Sequence, residues 1–486
     1  MKKSLLTLAS ALACVAITLS LAVCAQAQTV TTLASFSGVN GSSPFGSVVQ
    51  ATDGNFYGTT NQAGASSTSL GTVFRVTPSG KLTDLYNFCS KLHCSDGSVP
   101  YTAPVLGNDG NLYGVTSAGG SDAGSESGSG TVYKMTVGGK ITTLYTFCRA
   151  TPCTDGQNPF GIIQASDGNF YGTTSAGGKF NAGTIFSIGS TGTIKSLYSF
   201  CARAKCADGS VPVHPPIQGS DGNFYGTTTQ GGPSEGGVVY ELTAAGGYKV
   251  LHSFCSDASC NDGVVPTTLV QDAKGNLFGT TQGGTGFDFF GTVFEITVAN
   301  QYKSLHTFDY IGADPTGMTL GNDGNFYGTA QGNGTAGVGG IIFEITPAGV
   351  FTQLHTYGTC IGSGYFPLSP LFLSTDGLFY GTTHDGGNGT NFGCGGFGTI
   401  YSLSNGLSPL VETVPVAGGV GQTILILGNN LTGTSSVKFN GKSAAFHVVS
   451  DSEITATVPA GATTGTVSVV APSGTLDSNP QFVVTK

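Results

Sequence analysis

Charge is what this chain has least of. Asp, Glu, Lys and Arg make up 9% of its 486 residues, and Arg occurs only at Arg75, Arg149 and Arg203. No basic cluster follows Lys2-Lys3, so there is no surface to track a phosphate backbone, and nucleic acid is not an expected partner. Trp is absent, which leaves Tyr and Phe to do any stacking on a ligand. Sustained 3.6-residue apolar periodicity with caps is also missing, so helices are not expected. No Gly-x-Ser-x-Gly elbow follows a strand, and no helix follows the Gly-rich loops. A Ser-His-Asp hydrolase site and a phosphate cradle are therefore not expected. Past residue 23 no segment offers the roughly 20 charge-free apolar residues of a membrane helix.

Hydrophobic residues supply 39% of the chain, enough for a sizeable core and unlike a disordered composition. Gly is 78 of 486 residues, roughly twice the usual share, which implies many turns. The start reads as a secretory signal over residues 1–27. Lys2-Lys3 is followed by apolar Leu5 to Val23 and a small-x-small site, Ala25-Gln26-Ala27, so cleavage would leave Gln28 first. An uncleaved anchor and a lipobox-like Leu21-Ala22-Val23-Cys24 are the alternatives. Past the signal, ten Cys remain. Eight form C-x4-C pairs: Cys89 with Cys94, Cys148 with Cys153, Cys201 with Cys206, and Cys255 with Cys260. Zinc wants four donors and only His93 sits inside any pair, so disulfides of an exported protein are expected. Cys360 and Cys394 fall on the same face of the expected fold and are assigned to each other.

A repeat dominates the rest. Asp-Gly-Asn begins at Asp53, Asp109, Asp167, Asp221 and Asp323, becomes Asp-Gly-Leu at Asp376, and loses its Asp in Lys274-Gly275-Asn276. These seven copies are 49 to 58 residues apart, a spacing typical of propeller blades and solenoid repeats. Each unit holds four short strand-like pieces. In the third they are Phe160 to Ala165, Phe170 to Thr174, Gly183 to Ile188 and Thr193 to Cys201. A fourth piece also precedes the first unit, at Thr31 to Phe36, and none follows Gly398 to Leu403. A ring has reason to do this, because its first strand can complete its last blade, whereas a solenoid does not. The expected fold is all-β: a seven-bladed β-propeller over 28–404, closed by an N-terminal strand, then a small immunoglobulin-like β-sandwich over 405–486.

The repeats resemble the GloVer (Gloeo-Verruco) tandem repeat of exported bacterial proteins. The resemblance rests on D-G-N-F-Y-G-T-T, the following G-T-V-F, and L-Y-x-F-C, and it runs roughly from Val30 to Leu403. It implies export but no assigned activity. The tail resembles an IPT/TIG immunoglobulin-like module in Gly421-Gln422-Thr423, Gly428-Asn429-Asn430-Leu431, Val437-Lys438-Phe439-Asn440-Gly441 and Val458-Pro459-Ala460-Gly461. Such modules act as spacers, in dimerisation and in some cases on DNA. The tail's only cations, Lys438, Lys442 and Lys486, are too few for the last use.

In a propeller the Asp-Gly-Asn segments are tight first-to-second turns, which makes their repetition scaffold. The variable second-to-third loops and the Cys-bearing crossovers share the other face, where binding sites usually lie. Asn40, Asp96, Asp155, Asp208 and Asp262 precede a recurring Gly-x-x-Pro there. They are the candidate ligand-binding set, an acidic ring at the channel mouth. The alternative is that each forms a local Asx-turn. His252, His306 and His355 take the slot of Tyr86, Tyr145 and Tyr198, and His93, His214 and His384 stand singly. No catalytic residue, metal or cofactor is assigned. The expected function is exported, noncatalytic binding or adhesion toward a surface ligand, glycan or protein, at the cell surface or secreted. A structural cell-surface component and an extracellular polysaccharide hydrolase or lyase are the alternatives.

Overall fold

The computed structural model describes residues 28–485 except 65–69, 121–127, 150, 258, 284–289, 310–312, 333–338, 359–363 and 388–394. The signal segment, Cys360 and Cys394 lie outside the described residues. The described chain is all-β, with two single 3-10 turns at Leu92–Cys94 and Ala204–Cys206.

Seven four-stranded antiparallel sheets follow one another along the chain. The third is typical: Gln157–Gln164, Phe170–Ala176, Thr184–Ile188 and Ile194–Ser199 pair in sequence order. Its boundaries lie within a few residues of those expected. The seventh is different. Phe372–Leu373, Phe379–Thr383 and Thr399–Ser404 are joined by Thr29–Ser35, with Thr29 opposite Ser404. Phe36, the residue after that strand, is fully buried.

The third strand of a sheet is closed in on both sides. In Thr72–Val76, Thr131–Met135, Thr184–Ile188 and Thr292–Ile296 every residue but the fourth is buried. A strand covered on both faces needs a neighbour on each, and the core clusters supply them. Tyr57 and Phe88 of sheet 1 pack with Leu112 and Tyr133 of sheet 2. Successive clusters join sheets 2 to 3, 3 to 4, 4 to 5, 5 to 6 and 6 to 7. The last joins Tyr380 and Ile400 of sheet 7 to Phe56 and Phe74 of sheet 1.

A glycine–proline contact recurs at every junction. Gly183, which opens the third strand of sheet 3, has φ +97°. A Cβ there would overlap the Thr174 carbonyl and lie 2.7 Å from Cδ of Pro212, in the crossover into sheet 4. The same pairing joins Gly71 to Pro100, Gly130 to Pro159, Gly237 to Pro266, Gly291 to Pro315, Gly340 to Pro367 and, across the seam, Gly398 to Pro44. Both repeated motifs, the Gly of G-T-V-F and the Pro of Gly-x-x-Pro, are thus two halves of one contact between sheets.

The tail forms two more four-stranded sheets. Glu412–Val414, Thr423–Leu427, Phe446–Val448 and Glu453–Thr457 make one. Ser436–Phe439, Lys442–Ser443, Val467–Ala471 and Gly474–Asp477 make the other. Ile424, Ile426, Val437, Phe439, Ile454 and Val467 are buried in their shared core. Outward-facing Val414, Leu425 and Leu427 pack on Ala51, Tyr57, Leu106 and Met135 of sheets 1 and 2. Asn429 donates to Thr375 (2.8 Å), Ser452 to the Thr52 carbonyl (2.6 Å) and Asn479 to the Leu320 carbonyl (3.0 Å). All three acceptors adjoin Asp-Gly-Asn or Asp-Gly-Leu turns, so the tail sits on the turn face.

Candidate binding face

The repeated Asp is spent inside its own turn. Asp167 accepts from the Asn169 backbone (3.0 Å) and side chain (2.8 Å) and from the Tyr171 hydroxyl (2.8 Å). Asp53, Asp221 and Asp323 repeat all three bonds, to Asn55 and Tyr57, Asn223 and Tyr225, and Asn325 and Tyr327. In sheet 5, where the Asp is missing, Asp272 takes the N–H of Lys274 (2.9 Å) and Asn276 (2.8 Å) from two residues upstream. The Tyr is missing there as well, and Phe278 stands in its place. Burial and the neighbouring carboxylate push the Tyr171 hydroxyl well above its ordinary range.

Rings next to these turns join sheets. Tyr113 stacks on Phe170 (4.1 Å), Tyr171 on Phe224 (4.1 Å) and, across the seam, Tyr380 packs on Phe56 (4.0 Å). A glutamine that closes the first strand acts as a second latch. Gln164, Gln218 and Gln271 each accept the backbone N–H of the preceding sheet's turn at 2.8 Å, from Asn108, Ser166 and Ser220. Gln50 does the same to Thr375 at 3.2 Å, across the seam. The motif face is therefore a web of contacts between sheets.

On the opposite face the four local disulfides are present: Cys89–Cys94, Cys148–Cys153, Cys201–Cys206 and Cys255–Cys260. The structure engages each member of the candidate acidic set with partners close to it in sequence. Asp96 is fully buried and accepts from the Tyr86 hydroxyl (2.6 Å) and Ser90 N–H (3.1 Å). Asp155 accepts from Tyr145 (2.8 Å) and the Cys148 N–H (3.0 Å). Asp208 takes Tyr198 (2.6 Å) and the N–H of Ala202 and Arg203. Asp262 pairs with His252 Nε2 at 3.0 Å and accepts from Ser256 (2.8 Å). Asn40 accepts from the backbone N–H of Ser37 at 2.8 Å. Each group serves the loop that carries it, accepting from backbone N–H groups that precede it rather than from the turn that follows. Among the described residues no three His, Cys, Asp or Glu converge as metal donors.

His252 takes the place of Tyr against its Asp and stacks on Tyr302 (4.0 Å), with desolvation lowering its pKa. His306 stacks on Phe351 (4.0 Å). His384 does not stand singly: its Nδ1 is 2.7 Å from Asp385 Oδ1, and its ring meets Phe45 edge-on at 4.9 Å.

Phe45 leads to a feature the sequence reading missed. The residue after the recurring Pro is Phe45, Tyr101 and Phe160 in sheets 1 to 3, then Val213, Thr267, Thr316 and Leu368 in the other four. Phe45 meets Tyr101 edge-on at 5.3 Å, and Tyr101 stacks on Phe160 at 5.0 Å, 12° from parallel. All three rings are half-buried. They form an arc beside the inner strands, where the crossovers enter. Aligning the repeats on that Pro would have revealed it.

A family model described as the Gloeobacter/Verrucomicrobia repeat matches residues 20–215 and 212–448. No curated protein matches the sequence. Among solved structures, a protein titled a putative gluconolactonase is 12% identical, with 79% of this chain and 94% of that one covered, at TM-score 0.38. The Pseudomonas aeruginosa periplasmic gluconolactonase is 14% identical, with 64% and 85% covered, at 0.42. The extracellular domain of a putative hybrid two-component system from B. thetaiotaomicron is 12% identical, with 94% and 54% covered, at 0.48. Likeness this slight carries nothing about activity.

Proposed function

The chain belongs to the Gloeobacter/Verrucomicrobia repeat family, and from that premise we propose an exported, noncatalytic binding or adhesion protein. In this reading the seven sheets are the blades of a seven-bladed β-propeller, and the tail is an immunoglobulin-like IPT/TIG module that docks it. One observation carries the reading: the tail occupies the turn face and so does not cover the described disulfide loops and aromatic arc on the other. Closure is supported by the seam contacts of Gly398 with Pro44 and Tyr380 with Phe56. Disulfides favour an oxidising compartment. On the loop face the crossover acids are held in latches, while the aromatic arc offers rings for stacking.

The His384–Asp385 pair favours a second reading, hydrolysis or elimination on an extracellular polysaccharide, because such chemistry needs an acid or base at an open face. One experiment separates the two. The purified exported chain is sedimented with envelope fragments and incubated with a polysaccharide panel. Retention on the envelope without reducing ends or unsaturated products supports the first reading. Catalytic product release overturns it, as does failure to sediment.

A further inference from the structure

Many aromatic rings of this chain pack between sheets, and Phe56, Phe74 and Phe88 are wholly enclosed. The arc Phe45–Tyr101–Phe160 is not enclosed in that way. Its rings are half-buried, and the same position is filled by Val213, Thr267, Thr316 or Leu368 in the remaining sheets. The repeat therefore closes without an aromatic there, and packing does not account for three on adjacent sheets. Tyr101 and Phe160 lie almost parallel, and Phe45 links them to His384 with its Asp385. The positions equivalent to His384 are Asn61, Ser117, Ser175, Thr229, Gln282 and Gln331, all hydrogen-bonding side chains. The arc itself contains no cation.

Aromatic rings set among hydrogen-bonding groups suit a ligand with an apolar face and a hydroxylated rim. We infer that the arc is a subsite for a neutral carbohydrate chain, with pyranose rings lying on Tyr101, Phe160 and Phe45 and hydroxyls bonding to the His384–Asp385 pair. This rests on the binding reading above and names the ligand class for it.

The test is calorimetric titration of the exported chain with the hexasaccharides of β-1,4-linked glucose, xylose and N-acetylglucosamine. One of the three is expected to bind saturably. Tyr101→Ala and Phe160→Ala are each expected to weaken it by about tenfold, the loss of one stacking contact. Val213→Thr, which copies sheets 5 and 6, is expected to change it less than about twofold, a surface-scale effect. Should Tyr101→Ala fail to fold, Tyr101→Leu keeps bulk without the aromatic face and loses binding equally. Binding indifferent to these ring losses overturns the subsite, and so does no binding by any hexasaccharide. Envelope sedimentation separates the two ideas: if it persists while the sugars fail, the subsite falls and the binding reading stands.

Discussion

Replacing Glu412 by Gln should reverse a pH penalty built into the contact between tail and ring. Glu412 stands opposite Leu427 on the strand that also carries Val414, and Val414 and Leu427 pack on sheets 1 and 2. Residues two apart on a strand share a face, so the carboxyl is on the ring side. Its Oε2 is buried with no hydrogen-bond partner, and desolvation pushes the carboxyl from 4.5 up to about 7. A raised carboxyl pKa means the folded chain holds a proton that the unfolded chain releases. Stability is then full below the unfolded value and falls as pH rises toward the folded one. At 1.36 kcal/mol per pKa unit the fall totals at most about 3 kcal/mol, spread between about pH 4.5 and 7 and level above. Urea unfolding of wild type and Glu412→Gln across pH 4.5 to 8 reads it directly. The two should agree near pH 4.5, and the variant should be more stable by up to that amount at pH 8. Parallel pH profiles would refute the assignment of a buried, unpartnered carboxyl.

Four further outcomes follow from the ring. Gly183→Ala must place a Cβ against the Thr174 carbonyl and Pro212 at φ +97°, which should cost about 3 kcal/mol or more in chemical unfolding. Gly246→Ala, at φ +87° with nothing within 4 Å, should cost only about 1 kcal/mol. Asp208→Ala strands the Tyr198 hydroxyl and the backbone N–H of Ala202 and Arg203. It should lower stability by about 2–3 kcal/mol, while calcium leaves the wild-type melting curve unmoved, since the carboxylate is already engaged. Reduction of the four local disulfides should lower stability by about 2 kcal/mol per loop in a chain-entropy model, read as a shift of the urea midpoint with reductant.

Much of the scaffold was legible because it is local. Strand lengths, the Asp-Gly-Asn turn and the displaced first strand all leave marks in short stretches, such as Phe170-Tyr171-Gly172-Thr173-Thr174. What joins one sheet to the next was not legible. Gly183 and Pro212, or Gln218 and Ser166, are far apart in sequence and meet only once the sheets stand side by side. The local ties of the acidic set were hidden for a related reason. Its position before Gly-x-x-Pro was read correctly, but the partner of Asp208 is Tyr198, a residue on the strand before the disulfide. Asp272 substitutes for a turn Asp from outside the motif, where pattern matching does not look.

The seam has a consequence for assembly. Thr29–Ser35 pairs with Thr399–Ser404, so the first strand to be made waits for the last sheet of the ring. Until it is seated, Thr29–Ser35 is a free strand and the last sheet of the ring has an open edge of the matching register. Within one molecule the two meet by closing a very long loop, an entropic cost that grows only slowly with length. Between molecules the same pairing grows with concentration. Refolding from a dense solution should therefore yield head-to-tail exchanged chains, in which each molecule's first strand completes the last sheet of its neighbour.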